Sequence, residues 1–174
     1  MNLLKRLLLF VASTSVFLFA FQWTLNAFGF RSVFFAFLIN WLVMSWVAVM
    51  GQVIHFYFPE AYYEIRPFER DGQIYERLGI RFFKKLVRRG PLTLFNPTIR
   101  HQAGESFQDL EPEMKRAETG HTIIFALMLI LVGYAGIRGW FDAAGWLMLF
   151  NIIINGYPVM LQRYNRIKIH QETP

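Results

Sequence analysis

Four apolar runs decide most of what this chain can become. They are residues 7–25, "LLLFVASTSVFLFAFQWTL", 33–56, "VFFAFLINWLVMSWVAVMGQVIHF", 120–137, "GHTIIFALMLILVGYAGI", and 143–160, "AAGWLMLFNIIINGYPVM". A helix needs about 20 residues to cross the hydrocarbon of a bilayer, with a range of about 17–25. The first two runs satisfy this with room to spare. The last two lie at the short end and are expected to tilt, to be extended by interfacial residues, or to be partly re-entrant. Hydrocarbon offers the backbone no hydrogen bonds, so a spanning run must be helical. The expected fold is therefore all-α, a polytopic membrane protein of about four transmembrane helices. Residues 1–174 form one integral membrane domain in this reading, with 57–119 as a cytoplasmic interfacial segment between the second and third spans. Lys5 and Arg6 precede the first run as they would in a signal peptide. No small-x-small cleavage site follows at the right distance, so the run is expected to stay in place as a helix.

Charge orients the set. Two basic residues precede the first run, eleven lie between the second and third, and three follow the fourth, Arg163, Arg166 and Lys168. The two intervening turns hold one each, Arg31 and Arg138. The positive-inside rule places both termini and the central segment in the cytoplasm. A net charge of +6 would ordinarily raise nucleic-acid binding. Here the basic residues flank apolar runs, and no helix-turn-helix, zinc finger or basic stripe appears. The expected partner is anionic phospholipid, with no nucleic acid. The chain has no cysteine, which excludes disulfides, thiolate catalysis and cysteine-ligated zinc.

The central segment balances its eleven basic residues with ten acids. Within it "GQIYERLGIRFFKKLVRRG" (72–90) reads as an amphipathic helix. Ile74, Leu78, Phe82 and Leu86 step by four, with Tyr75 and Phe83 beside them. Gly79 marks a bend or divides it into two shorter helices, and Gly90-Pro91 stops it. Lys84, Lys85, Arg88 and Arg89 collect near its end, where they suit both the helix dipole and anionic headgroups. Residues 91–110 show no lasting period and read as an ordered loop or a plain connector. A helix resumes near Pro112 and is expected to run on into the third apolar block.

Several polar residues stand where topology does not ask for them. Glu118 and His121, in "AETGH", lie three apart as the third run begins, and a helix puts both on one face. They read either as a base and the acid that orients it, or as a charged helix start and a headgroup-level histidine. His55 closes the second run at the same cytoplasmic level and either joins such a site or snorkels. His101 and Glu105 are four apart in the loop, but the glycine between them makes a weak acid–base pair. Arg66 and Glu69 flank Pro67, so no continuous helix joins them. Arg66 either holds a phosphate or carboxylate or pairs with Glu69. "QRYNR" (162–166) offers Gln162, Arg163, Asn165 and Arg166. The two arginines double as topology charges, whereas the amides do not. Asn151 and Asn155 share a face inside the fourth run, as helix–helix glue or as substrate contacts. Pro158, beside Tyr157, is expected to kink that helix. A Glu-x-x-His motif can serve a di-iron bundle, but only with a second such motif and further carboxylates, which the runs lack, so no metal is expected.

Two stretches carry a family resemblance: "FPEAYYEIRPFERDGQIYERLGIRFFKKLV" (58–87) and "NGYPVMLQRYNRIKI" (155–169). Together they resemble the glycosyl-4,4'-diaponeurosporenoate acyltransferase family of small bacterial membrane proteins, whose named member is linked to the last step of staphyloxanthin formation. The resembling features are the proline-aromatic start, Arg66 with Phe68-Glu69, Gly72, Tyr75-Glu76, Leu78-Gly79-Ile80 and the later Tyr-Pro…Gln-Arg-Tyr-Asn-Arg signature. Glu118 and His121 stand where the family pattern has an acid and a histidine entering a membrane helix. One departure is "RFFKK" at 81–85, which lacks a tryptophan of the family stretch.

The resemblance implies transfer of a fatty acyl group onto a hydroxyl of a glycosylated lipid or carotenoid, in the bacterial cytoplasmic membrane. His121, Glu118 and His55 would be catalytic. Arg66, Glu69, Tyr75, Asn155, Tyr157, Gln162, Arg163, Asn165 and Arg166 would line the substrate. No permanently bound cofactor is implied, only an acyl donor such as acyl-CoA or acyl carrier protein. The other reading is a noncatalytic, substrate-presenting subunit of a lipid-synthesis complex, which would survive loss of Glu118 and His121.

Overall fold

The apolar runs are helical, the second of them as far as Val53, and the third and fourth helices are longer than their hydrophobic letters suggest. The computed structural model describes residues 2–54, 56–69, 71–89 and 107–172, and no strand occurs among them. The helices are α1 (Leu3–Phe28), α2 (Val33–Val53), α3 (Glu60–Tyr63), α4 (Gln73–Arg77), α5 (Ile80–Arg89), α6 (Phe107–Ile137), α7 (Phe141–Asn151) and α8 (Tyr157–Glu172). A 3-10 turn at Pro67–Glu69 precedes α4, and a π turn at Ile152–Gly156 joins α7 to α8. Four stretches are long and apolar enough to cross a membrane: Leu3–Phe28, Val33–Val53, Leu110–Ile137 and Phe141–Gln171. The last two reach 28 and 31 residues by recruiting polar flanks, so neither is short for a span. Helix α6 begins at Phe107 and contains Pro112, rather than starting there. Of the loop expected over residues 91–110, Phe107 onward is helical instead, and residues 91–106, with His101 and Glu105, lie outside the described residues. The chain forms two compact units, Met1–Phe56 with Gly120–Gly156, and Tyr57–Thr119 with Tyr157–Pro174.

In the first unit, α1 and α2 form an antiparallel hairpin. Asn2 caps α1 by accepting from the Lys5 N–H, and Ser32 caps α2 by accepting from the Phe34 N–H. Between them Gly29 takes φ +74° and donates its N–H to the Leu25 carbonyl. One face of α2, Phe35, Ala36, Ile39, Val43 and Val47, recurs at helical spacing and forms the core with Ile124, Met128, Ala135, Ala143 and Leu147. Arg31 in the first turn reaches Asp142 at the start of α7, Nη2 to Oδ2 at 3.0 Å. That pair ties the 29–32 turn to the start of α7.

In the second unit the 72–90 stretch divides at Gly79, which takes φ +80°, into α4 and α5. The break moves the phase of the apolar stripe. Tyr75, Ile80 and Val87 are buried, whereas Ile74, Leu78, Phe82 and Leu86, the set spaced by four, are exposed. Tyr75 and Ile80 pack on Leu161, Tyr164 and Ile167 of α8. Gly72 opens α4 at φ +70°, and a Cβ there would lie 3.1 Å from the Tyr164 ring, so both backbone and packing require glycine.

Candidate functional site

The second unit buries four charged side chains against one another. Glu69 closes the 3-10 turn after Pro67, Glu118 comes from α6, and Arg163 and Arg166 stand three apart on α8. Arg163 donates to both oxygens of Glu69, Nε to Oε1 at 2.7 Å and Nη2 to Oε2 at 2.8 Å. Its Nη1 reaches Glu118 Oε1 at 2.9 Å, and Arg166 Nη2 donates to Glu118 Oε2 at 2.7 Å. Two carboxylates and two guanidiniums thus cancel in charge, as burial demands. Glu118 is 0% exposed, Arg166 2%, Glu69 3% and Arg163 14%. The arginines also donate to the Tyr62, Tyr63 and Glu64 carbonyls, which stitches α8 to the chain around α3. Tyr75 donates to Glu69, and the Tyr63 and Thr119 hydroxyls share a hydrogen bond.

The cluster fixes ionisation states. Burial pushes the Glu69 carboxyl up, but hydrogen bonds from Arg163, Tyr75 and the Arg66 N–H outweigh it and hold the group down to about 2. Burial and then the Glu69 carboxylate push the Tyr75 phenol up. A carboxylate so stabilised is a poor proton acceptor at neutral pH. No group of three or more histidines and acids able to hold a metal occurs among the described residues.

The first unit holds a second polar constellation. Pro158 has no N–H to offer the Ile154 carbonyl, and the chain widens into the π turn just before it. Asn155 on that turn is 0% exposed, as are Asn40 and Asn151. Asn40 Nδ2 donates to the Ala36 carbonyl at 2.9 Å, and Asn151 Nδ2 to the Phe125 carbonyl at 3.0 Å. Their oxygens therefore face inward, and Asn155 Nδ2 donates to both, at 3.1 and 2.9 Å. This leaves Asn155 Oδ1 as the acceptor opposite His121 Nδ1, 3.3 Å away. The amide directions propagate to the imidazole: Nδ1 is the nitrogen that carries the hydrogen toward Asn155, so in the neutral ring the lone pair lies on Nε2.

The residues expected from sequence distribute as follows. Glu69, Tyr75, Glu118, Arg163 and Arg166 come together in the second unit. The hydrogen bonds of Glu118 go to guanidiniums, and His121 takes Asn155 as its Nδ1 partner. Arg66 gives Glu69 only its backbone N–H, and its side chain donates to the Ala61 carbonyl. Arg163 and Arg166, read also as topology charges, lie in the ion-pair cluster rather than in solvent. Asn165 accepts from Lys84 Nζ at 2.8 Å, and the Tyr157 hydroxyl donates to the Leu78 carbonyl at 2.9 Å. Gln162 is half-buried on α8. His55 lies outside the described residues. Sequence reasoning missed Tyr63, Thr119 and Asn40. Asn40 carried a signal, since an amide inside the second apolar run is as anomalous as Asn151 inside the fourth.

A family model, glycosyl-4,4'-diaponeurosporenoate acyltransferase, matches residues 59–172. That range contains the whole charged cluster together with His121, Asn151 and Asn155. No curated protein and no solved structure matches the chain. With about two thirds of its length inside the match, the chain belongs to the glycosyl-4,4'-diaponeurosporenoate acyltransferase family.

Proposed function

We propose that this protein transfers a fatty acyl group from a thioester donor onto a hydroxyl of a glycosylated lipid or carotenoid, with His121 as the general base. The observation that carries this reading is the amide chain ending at His121, which presents the imidazole in the tautomer such a base needs. In the proposed step Nε2 takes the hydroxyl proton as the oxygen attacks the thioester carbonyl. The C–S bond breaks as the ester forms, and the proton passes to the departing sulfur. Asn155 does for His121 what an acid does in other base–orienter pairs, holding Nδ1–H and the ring plane. Glu118 in this reading works through Arg163 and Arg166, keeping α6 and α8 in register. The counts of basic residues support a cytoplasmic position for both termini and for residues 57–119, and family membership supports a bacterial cytoplasmic membrane.

The saturation of the buried charges by one another also suits a noncatalytic, substrate-presenting subunit, and one experiment separates the two. Lipid extracts of cells expressing wild type, His121→Ala, Asn155→Ala and Glu118→Gln at matched membrane levels are compared by mass spectrometry. Acyl transfer predicts a wild-type-dependent acyl mass increment on a glycosylated lipid. It should disappear in His121→Ala and fall about ten- to a hundredfold in Asn155→Ala. Full product from His121→Ala would assign the chemistry to another protein.

A further inference from the structure

Asn40 stands on α2, outside the residues 59–172 that the family model matches, yet its side chain belongs to the amide constellation that ends at His121. The two outer amides have no choice of direction. A backbone carbonyl only accepts, so Asn40 must turn Nδ2 to the Ala36 carbonyl and Asn151 must turn Nδ2 to the Phe125 carbonyl. Both Oδ1 atoms are thereby left facing Asn155. Its Nδ2 has two hydrogens, one for each oxygen, at 3.1 and 2.9 Å. Turning the Asn155 amide over would set its own oxygen against two others. All three amides are buried, so no solvent offers a substitute donor.

Amides between helices inside hydrocarbon also serve as glue. Two features exceed that need. Asn155 sits on the π turn Ile152–Gly156, a rare local geometry that recurs at functional sites. The chain of amides also ends on an imidazole, with Asn155 Oδ1 opposite His121 Nδ1 at 3.3 Å. For holding helices together either amide direction would serve. For the imidazole only one direction leaves the lone pair on Nε2. Neutral imidazole in water favours the hydrogen on Nε2, so the array imposes the less common form.

We propose that Asn40 is a positioning residue for His121. Together with Asn151 it fixes the amide direction of Asn155, and through Asn155 the tautomer of the imidazole. The inference takes its base from the acyl-transfer reading above and adds α2, which the family match does not reach, to the elements that prepare that base. With neither outer oxygen in place, Asn155 is free to turn Nδ2 toward Nδ1. The hydrogen then moves to Nε2, which loses the lone pair that would take a proton.

Nuclear magnetic resonance reads the tautomer directly. The full chain, labelled with nitrogen-15 histidine, is purified in detergent and held at a pH where imidazoles are neutral. Long-range proton–nitrogen correlations then show which ring nitrogen carries the hydrogen, and His121→Ala identifies the His121 signals by their loss. Wild type should carry it on Nδ1. Asn151→Thr, with Asn40 still in place, should keep it there, and Asn40→Thr/Asn151→Thr should move it to Nε2 in most molecules. Threonine is close to asparagine in size and bonds the carbonyl one turn back, as Thr24 does with Ala20 at 2.7 Å. The helices should therefore persist, and thermal unfolding checks that they do. A purely structural Asn40 would lower the melting temperature and leave the tautomer alone. Hydrogen on Nε2 in wild type, an unmoved tautomer in the folded double variant, or full release by Asn151→Thr alone would each overturn the proposal. Acyl product in lipid extracts of cells expressing the double variant should fall about tenfold. A moved tautomer with undiminished product would sink His121 as the base and leave the positioning role standing.

Discussion

The two hydrogen bonds from Arg163 to Glu69 leave a signature in the acid limb of stability. The Glu69 carboxyl sits at about 2 rather than the usual 4.5. A depressed carboxyl stabilises the fold fully above its unfolded value and loses that contribution as pH falls through its folded value. Stability should thus fall between pH 4.5 and about 2, by about 3 kcal/mol from this group. Glu69→Gln should be less stable at pH 7 and flatter over that acid interval, as read by thermal unfolding in detergent. A variant that keeps the wild-type acid slope would deny the pair this role. The same pair shows where sequence stops. Arg163 also fitted the role of a topology charge, whereas Glu69 and Asn155 stood out as polar groups that topology did not require. Their partners did not, because Glu69 pairs with a residue 94 positions away, and spacing rules rank only near neighbours. His121 was legible as a candidate, but its partner on the π turn was not, since that turn arises from the backbone around Pro158.

At the scale of elements, α4 and α5 depend on two glycines with different reasons for being there. Both take positive φ, where a non-glycine residue is strained by about 1–2 kcal/mol. Gly79 has nothing within 4 Å of a built Cβ, whereas at Gly72 the Tyr164 ring is 3.1 Å away. Gly79→Ala should therefore cost about the backbone term alone. Gly72→Ala should cost more, because Tyr164 is pinned by Glu76 and by the α8 core and cannot yield freely. Melting temperatures of the two variants check the order, and equal losses would mean that Tyr164 moves aside. The helices themselves were readable from apolar runs, caps and the Gly79 break. The buried face of α5 was not, because the break resets the helical phase and a period measured across it picks out the exposed stripe.

Across the whole molecule, the decisive quantity is the distribution of lysine and arginine along the chain. Sixteen of the eighteen fall in the two ends and the central segment, and the two in the intervening turns, Arg31 and Arg138, are occupied by Asp142 and the Trp140 ring. Positive charge is retained on the cytoplasmic side during insertion, so this bias predicts the sidedness of the spans. The absence of native cysteine makes the point directly measurable. Ala27→Cys, exposed near the end of α1, should react with a membrane-impermeant maleimide on intact cells. Glu113→Cys, exposed on α6, should react only after permeabilisation. Labelling of Glu113→Cys from outside would reverse the orientation that the basic residues predict.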